Sequence, residues 1–93
     1  MMTSPPLTSS AHIDYGIDTL FGRDTRSADC EVGLEQVEGE PNRFALRVQA
    51  PVPKGLEKAN TLLVHVDGRR LNGVIRHIER LNDDSLKLEV EPE

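Results

Sequence analysis

Apolar and polar residues alternate in the last third of the chain. Three runs place an apolar residue or a glycine at every second position: Leu62-x-Val64-x-Val66, Leu71-x-Gly73-x-Ile75 and Leu86-x-Leu88-x-Val90. Residues that favour turns separate the runs, Asp67-Gly68 after the first and Asp83-Asp84 after the second. Because period two gives each strand one buried and one solvated face, this region is predicted to form an antiparallel meander.

Two further strands are predicted upstream of the meander. The alternating runs are Cys30-x-Val32-x-Leu34 and Phe44-x-Leu46-x-Val48-x-Ala50. Pro51 and Pro53 end the second run, since neither residue can donate to a strand ladder. Residues 52–60 then form a loop or a short irregular helix, with Leu56 as a candidate plug over one end of the sheet.

The strand that begins at Leu71 changes phase along its length. After Ile75 the next apolar residues are Ile78 and Leu81, so a bulge is predicted near Arg76-His77. Gly73 removes a side chain where such a strand must coil. A long bent strand lets a short sheet close on itself, and the predicted fold is therefore mainly β, a small five-stranded antiparallel meander or β-barrel.

The N-terminal part of the chain has a different pattern. Ile13, Ile17, Leu20 and Phe21 recur at the spacing of one helical face. The sequence therefore predicts a mobile N-terminal arm over residues 1–26 with a possible short helix at 12–21, followed by a β-barrel domain over 27–93. Such a helix forms only by docking, either on its own barrel or on a partner.

Composition narrows the classes of function. The 93 residues carry a net charge of −5, which disfavours a sequence-independent nucleic-acid binder. The single cysteine, Cys30, is expected to be a small buried hydrophobe, and one cysteine fits a reducing compartment. Neither a long apolar run nor a signal-peptide pattern occurs, so no membrane contact and a cytoplasmic location are expected.

Catalytic chemistry has little support in the sequence. His12, His65 and His77 are scattered and lack cysteine partners at metal-ligand spacing, so no metal site is predicted. Neither Ser85 nor Cys30 lies in a motif that supplies a base for nucleophilic catalysis. The expectation is a protein that is not an enzyme and uses no cofactor.

Two sets of residues are candidates for partner contact. The apolar set of the arm is Ile13, Ile17, Leu20 and Phe21. The basic set, Arg69, Arg70, Arg76 and Arg80 together with His77, is the only local concentration of positive charge, and it is either a solvated strand face or a contact for an anion or an acidic partner. If the arm is not part of the core, the remaining domain of about 65 residues is marginal alone, so a protein partner or a homo-oligomer is expected.

Three small-barrel families resemble the second half of the chain. The stretch from Val64 through Asp67-Gly68-Arg69 to Ile75 is similar to the first half of an Sm-like RNA-binding barrel. Gly73-Val74-Ile75-Arg76 with Leu86-Lys87-Leu88-Glu89-Val90 is similar to the closing half of a PilZ domain. The PilZ resemblance implies a regulatory domain that binds a cyclic dinucleotide, with the four arginines as candidate phosphate contacts.

The third resemblance is to the head–tail joining (completion) proteins of long-tailed bacteriophages. Their pattern is a mobile arm, a Thr-Leu-x-Val strand, a glycine turn, an alternating strand, Asp-Asp and a final Leu-x-Leu strand. The matching positions here are 60–64, Gly68, 71–78, Asp83-Asp84 and 86–88. This resemblance implies a non-enzymatic protein–protein assembly module at the phage neck, located in the host cytoplasm and the virion. It is our leading hypothesis, with the PilZ-like domain as the alternative.

Overall fold

The computed structural model describes residues 8–37 and 39–93, and the described chain forms a closed antiparallel barrel of six strands. The strands run in the spatial order β1-β2-β3-β6-β5-β4, and β4 closes the barrel on β1. Their bounds, with that of one short 3₁₀ helix, η1, are β1 Ser9–Thr19, β2 Gly22–Gln36, β3 Phe44–Val48, η1 Leu56–Lys58, β4 Thr61–Val66, β5 Arg69–Arg80 and β6 Leu86–Pro92. The predicted mainly β barrel is confirmed, with six strands in place of five.

The additional strand is β1, and it replaces the helix predicted at 12–21, which is wrong. Ala11, Ile13, Tyr15 and Ile17 also alternate with polar residues, and these four side chains lie on the core side of β1. Strand β1 pairs with β2 on one side and with β4 on the other, so its backbone groups are satisfied by the sheet. Gly16 further weakens a helix at this position.

The predicted domain boundary does not coincide with the end of any strand in the structure. The boundary between residues 26 and 27 falls within β2, and residues 9–26 belong to the barrel rather than to a separate arm. Residues 1–7 of the predicted mobile arm lie outside the described residues.

The predicted bulge in the bent strand is confirmed. The pairing of β5 with β6 shifts register between Ile75 and His77, which leaves Arg76 as the extra residue. Two residues before Ile75, the backbones of β5 and β6 cross so closely that a Cβ on Gly73 would collide with the carbonyl group of Glu91. The glycine and the bulge together let β5 curl and close the barrel.

The core is built from the inward faces of all six strands. Its fully buried members come from every strand except β5, which contributes partly buried aliphatic residues. The completely buried aliphatic side chains include Ile13, Val32, Leu46, Val48, Val64, Leu88 and Val90. Residue Phe44 packs against this cluster, in agreement with its assignment to a core face.

The loop between β3 and β4 closes one end of the barrel. Leu56 opens η1 and is fully buried, so its predicted role as a plug is confirmed. Gly55 precedes it with φ 85°, a backbone conformation that favours glycine. The Tyr15 hydroxyl donates a hydrogen bond to the Lys54 carbonyl oxygen at 2.8 Å, which ties the loop to β1.

Candidate functional site

The tip of the β1–β2 hairpin extends past the strands on either side. Strand β4 pairs with β1 only as far as Gly16, and β3 pairs with β2 only over residues 32–36. Within the described part of the chain, the strand residues between positions 17 and 24 therefore pair only with one another, and the two-residue turn Leu20-Phe21 lies at their end.

Leu20 and Phe21 are the most exposed large apolar side chains of the described residues, at 98% and 100% exposure. The turn that presents them is held locally. The Thr19 hydroxyl donates to the Gly22 carbonyl at 2.6 Å and accepts from the Phe21 amide at 3.2 Å. Two large adjacent hydrophobes on an ordered turn form a small apolar contact surface, which we call the apolar tip.

Polar contacts support the projecting part of the hairpin. The Asp18 amide donates to the Asn60 side-chain oxygen at 2.8 Å, and the Arg23 Nε lies 3.0 Å from an Asp18 carboxylate oxygen. On the opposite face, Arg26 reaches an Asp24 oxygen at 2.9 Å. The Arg26 guanidinium also donates to the Lys54 carbonyl at 3.3 Å, so the hairpin is braced against the loop.

A cleft of about 760 Å³ separates the hairpin from the loop that contains η1. Ile17, Leu20 and Phe21 form its apolar wall, and Lys54 and Lys58 lie on the other side. The cleft also carries acidic and basic side chains in equal number, Asp18, Asp24 and Glu57 with Arg26, Lys54 and Lys58, so it is suited to a partner through apolar contact rather than through net charge.

The four predicted apolar contact residues have different positions in the structure. Leu20 and Phe21 form the tip, and Ile17 is half-buried at the wall of the cleft. Ile13 is fully buried in the barrel and is a core residue rather than a partner contact. The helical face that was predicted to unite all four does not exist.

The predicted basic set is divided along β5. Arg69 and Arg70 begin this strand and Arg80 ends it, so they lie at opposite ends of 12 residues. Arg76 is paired with Glu91, at 2.7 Å from Nε and 2.6 Å from Nη2 to the same carboxylate oxygen. The structure does not gather these side chains into one phosphate-binding cluster.

Two titratable groups of the barrel surface, His12 and Asp83, take part in structural contacts. Nδ1 of His12 lies 2.8 Å from an Asp29 oxygen, and this hydrogen bond, with the charge of Asp14, raises the pKa of His12. Its ring stacks on that of His65 at 6.5 Å between centroids. In the hairpin between β5 and β6, hydrogen bonds from Ser85 lower the pKa of Asp83, which accepts from both the Ser85 amide and its hydroxyl. Both arrangements fix local geometry.

Cys30 is half-buried against the core, and desolvation raises the pKa of its thiol to about 11. Since the thiolate is the nucleophilic form, this environment suppresses rather than activates cysteine chemistry. Across residues 8–37 and 39–93, no three His, Cys, Asp or Glu side chains are arranged to hold a metal ion. No helix in the same residues is long and apolar enough to cross a membrane.

Two features of the site were not predicted from sequence. One is the brace formed by Tyr15 and Arg26 on Lys54, which depends on contacts between residues far apart in the chain. The other is the edge of β2 beyond β3, along which none of the described residues forms a strand; it becomes visible only once the short extent of β3 is known. In comparisons with known proteins, no family description, curated protein or solved structure matches this chain.

Proposed function

We propose that this protein is a non-enzymatic assembly module that binds another protein through the apolar tip, most specifically as a head–tail joining protein of a long-tailed bacteriophage. The observation that carries the proposal is the complete exposure of Leu20 and Phe21 on an ordered projecting turn. Exposure of two large hydrophobes costs solubility, and a partner that covers them would remove that cost.

The expected energetic contribution of the tip is appreciable. Burial of one Leu or Phe side chain contributes about 1.5–3 kcal/mol, so full burial of both contributes about 3–6 kcal/mol. The barrel behind the tip is closed and hydrogen bonds of Thr19 hold the turn, so the hairpin would bind as a preorganised element. The remaining contact area would come from the cleft walls, including Lys54 and Lys58.

The phage-specific part of the proposal is supported by the pattern of β4, β5 and β6 described above. In that role the module would seat its hairpin in a pocket of the head or tail precursor, and the barrel would set the distance between them. Binding requires shape and apolar complementarity rather than a reactive group.

The test is binding of the purified protein to head and tail precursor particles, measured by co-sedimentation. We expect the wild type to bind one precursor and the double variant L20S/F21S to lose at least about 100-fold in affinity, since at least about 3 kcal/mol of apolar burial is removed. The matched control, R69S/R70S, changes two exposed residues at the far end of the barrel and should bind as the wild type. A wild type that binds no precursor would refute the phage role, and L20S/F21S binding equal to wild type would refute the apolar tip.

The cyclic-dinucleotide alternative has a separate test. It relies on Arg69, Arg70, Arg76 and Arg80, which the structure distributes over both ends of β5 and one ion pair. Titration calorimetry with cyclic di-GMP should give no heat if the assembly proposal is correct. Saturable heat that R76S abolishes would instead favour the regulatory domain.

A further inference from the structure

Among residues 8–37 and 39–93, none forms a strand beside the outer edge of β2 over residues 22–30. Strand β3 occupies this edge only at residues 32–36, and one more hydrogen bond, from the Gln49 amide to the Glu31 carbonyl, ends the pairing. In the part of the chain that the structure describes, no strand pairs with the edge from Gly22 to Cys30. This edge therefore presents a row of unpaired backbone donors and acceptors.

The register of β2 shows which residues present these groups. Both backbone groups of one strand residue point to the same side, and the side alternates along the strand. Because the Glu31 carbonyl points toward β3, the amides and carbonyls of residues 23, 25, 27 and 29 also point to the open edge. The pairing of β1 with β2 has no register shift, so the alternation holds throughout the hairpin.

We infer that two copies of this chain associate by antiparallel pairing of their β2 edges about a twofold axis at Thr25, forming one continuous sheet across the interface. This inference goes beyond the proposed function, because it concerns a second copy of the chain rather than the partner of the apolar tip. A twofold contact between identical edges closes after two copies and leaves neither edge open.

Charge complementarity selects Thr25 as the centre. Residues whose backbone groups point to the open edge must lie opposite one another in the two copies. The twofold axis therefore passes through a residue rather than between two residues. With the axis at Thr25, Asp24 of each copy lies opposite Arg26 of the other, and Arg23 lies opposite Ser27. Opposite charges directly across an antiparallel pair stabilise it, and this register creates two such pairs and no like-charge pair.

The two neighbouring registers are less favourable. An axis at Arg26 would place two arginines directly opposite each other, and an axis at Asp24 would do the same with two aspartates; both arrangements are destabilising. The Thr25 register also avoids β3, because the tip residue Phe21 of one copy ends opposite Asp29 of the other, two residues before the hydrogen bond at Glu31. The second copy thus fills the open stretch without displacing a strand.

The existing contacts of these residues suit the interface. Asp24 and Arg26 already form an ion pair within one strand, at 2.9 Å. The second copy would add its own pair to make a square of two carboxylates and two guanidiniums. No charge is left without an opposite charge when the edges meet.

The first test is the mass of the protein in solution. Sedimentation equilibrium of the wild type at about 100 µM should show a species of twice the 10.3 kDa chain mass, in a concentration-dependent equilibrium. The variant T25P removes an outward amide at the axis and should weaken the dimer, while the control T25V keeps the amide and should leave it unchanged. A wild type that remains monomeric would overturn the inference.

A charge-reversal pair tests the register and does not depend on whether one variant is less stable. D24R alone and R26D alone each place like charges across the twofold axis, so each should dimerise at least about tenfold more weakly than the wild type. In an equimolar mixture of the two variants, the arginine introduced by D24R faces the aspartate introduced by R26D, and the native Arg26 of one copy faces the native Asp24 of the other. The mixture should therefore recover a heterodimer. Dimerisation that survives T25P, or that fails to recover in the mixture, would overturn the inference.

The two proposals fail separately. A monomeric protein that still binds precursor particles would refute only the dimer. A dimer that depends on Asp24 and Arg26 but ignores every precursor would refute only the proposed function. A dimer that uses another surface would be insensitive to the charge reversals and would overturn the edge pairing.

Discussion

Replacing Gly73 with alanine tests the close approach of β5 and β6. A Cβ at this position would collide with the Glu91 carbonyl oxygen and lie 2.8 Å from both the Glu91 carbonyl carbon and the Val90 Cγ1. Favourable contacts between carbon atoms lie at about 3.5–4.0 Å, so β5 and β6 would have to separate by roughly 1 Å. The colliding group is backbone that belongs to the ladder, so it cannot rotate away.

The expected cost follows from this geometry. Overpacking in a well-packed site costs about 1–3 kcal/mol, and a backbone collision belongs at the upper end of that range. Alanine recovers about 0.5–1 kcal/mol in a strand relative to glycine, which leaves a net loss of about 2 kcal/mol. A domain of this length has a total stability of roughly 5–14 kcal/mol, so the variant should fold with a melting temperature lower by about 8–16 °C.

The matched control is Gly16→Ala on β1. Its Cβ would meet Arg23 Cδ and Thr61 Oγ1, each at 2.7 Å, and both atoms belong to side chains that can rotate. Both side chains must shift, and Arg23 also forms an ion pair with Asp18, so the control should cost at most about 1 kcal/mol, well below the effect of Gly73→Ala. Both variants are measured by urea unfolding followed by far-UV circular dichroism. Equal effects of the two substitutions, or a neutral Gly73→Ala, would refute the close crossing of β5 and β6.

Three further predictions concern the plug, the thiol and the surface histidine. Leu56→Ala should lower the free energy of unfolding by about 3 kcal/mol, because the side chain is fully buried, whereas Leu20→Ala at the exposed tip should change it by less than about 0.5 kcal/mol in the same urea titration. The Cys30 thiol, with its pKa near 11, should react with iodoacetamide at pH 8 far more slowly than it does in urea; equal rates would contradict its burial. Contact with Asp29 raises the pKa of His12 above 6.5, so its stabilising contribution is complete below that value and is lost as the pH rises through the folded-state pKa. The urea midpoint of the wild type should therefore fall as the pH rises through this range, and the midpoint of His12→Gln should fall less. Equal dependence of the two midpoints on pH would contradict the assignment.

The C-terminal half of the fold could be predicted because its information is local. Strands β4, β5 and β6 follow one another as hairpins, and the turn residues at Asp67-Gly68 and Asp83-Asp84 mark their limits. The change of phase after Ile75 located the bulge to within one residue of its observed position. Alternation and turn chemistry determine such a meander without knowledge of distant contacts.

Strand β1 could not be assigned locally because two periods fit it. Ile13, Ile17, Leu20 and Phe21 match a helical face, while Ala11, Ile13, Tyr15 and Ile17 match a strand. What decides between them is the pairing of β1 with β4, which joins residues about 50 positions apart, such as Ile13 with Val64. The turn at Leu20-Phe21 also lacks the Asn-Gly or Asp-Gly chemistry that identifies a hairpin.

The candidate site was predicted only in part, because, as for β1, contacts between distant parts of the chain determine it. Leu20 and Phe21 are apolar residues on the surface, but the sequence alone grouped them with Ile13, which belongs to the core. The basic residues of β5 are near neighbours in the sequence, but a strand of 12 residues separates its two ends. Short distances in sequence therefore gave a poor guide to which side chains meet.

Both the apolar tip and the open edge follow from one property of the sheet, the unequal lengths of its strands. The hairpin strands have 11 and 15 residues, whereas β3 and β4, which lie beside them, have 5 and 6. The longer strands must extend past their neighbours, and the end of the extension carries Leu20 and Phe21. The side of the extension carries the unpaired backbone of β2. A hairpin that outgrows its neighbours therefore gives this small domain both an apolar contact and a directional one.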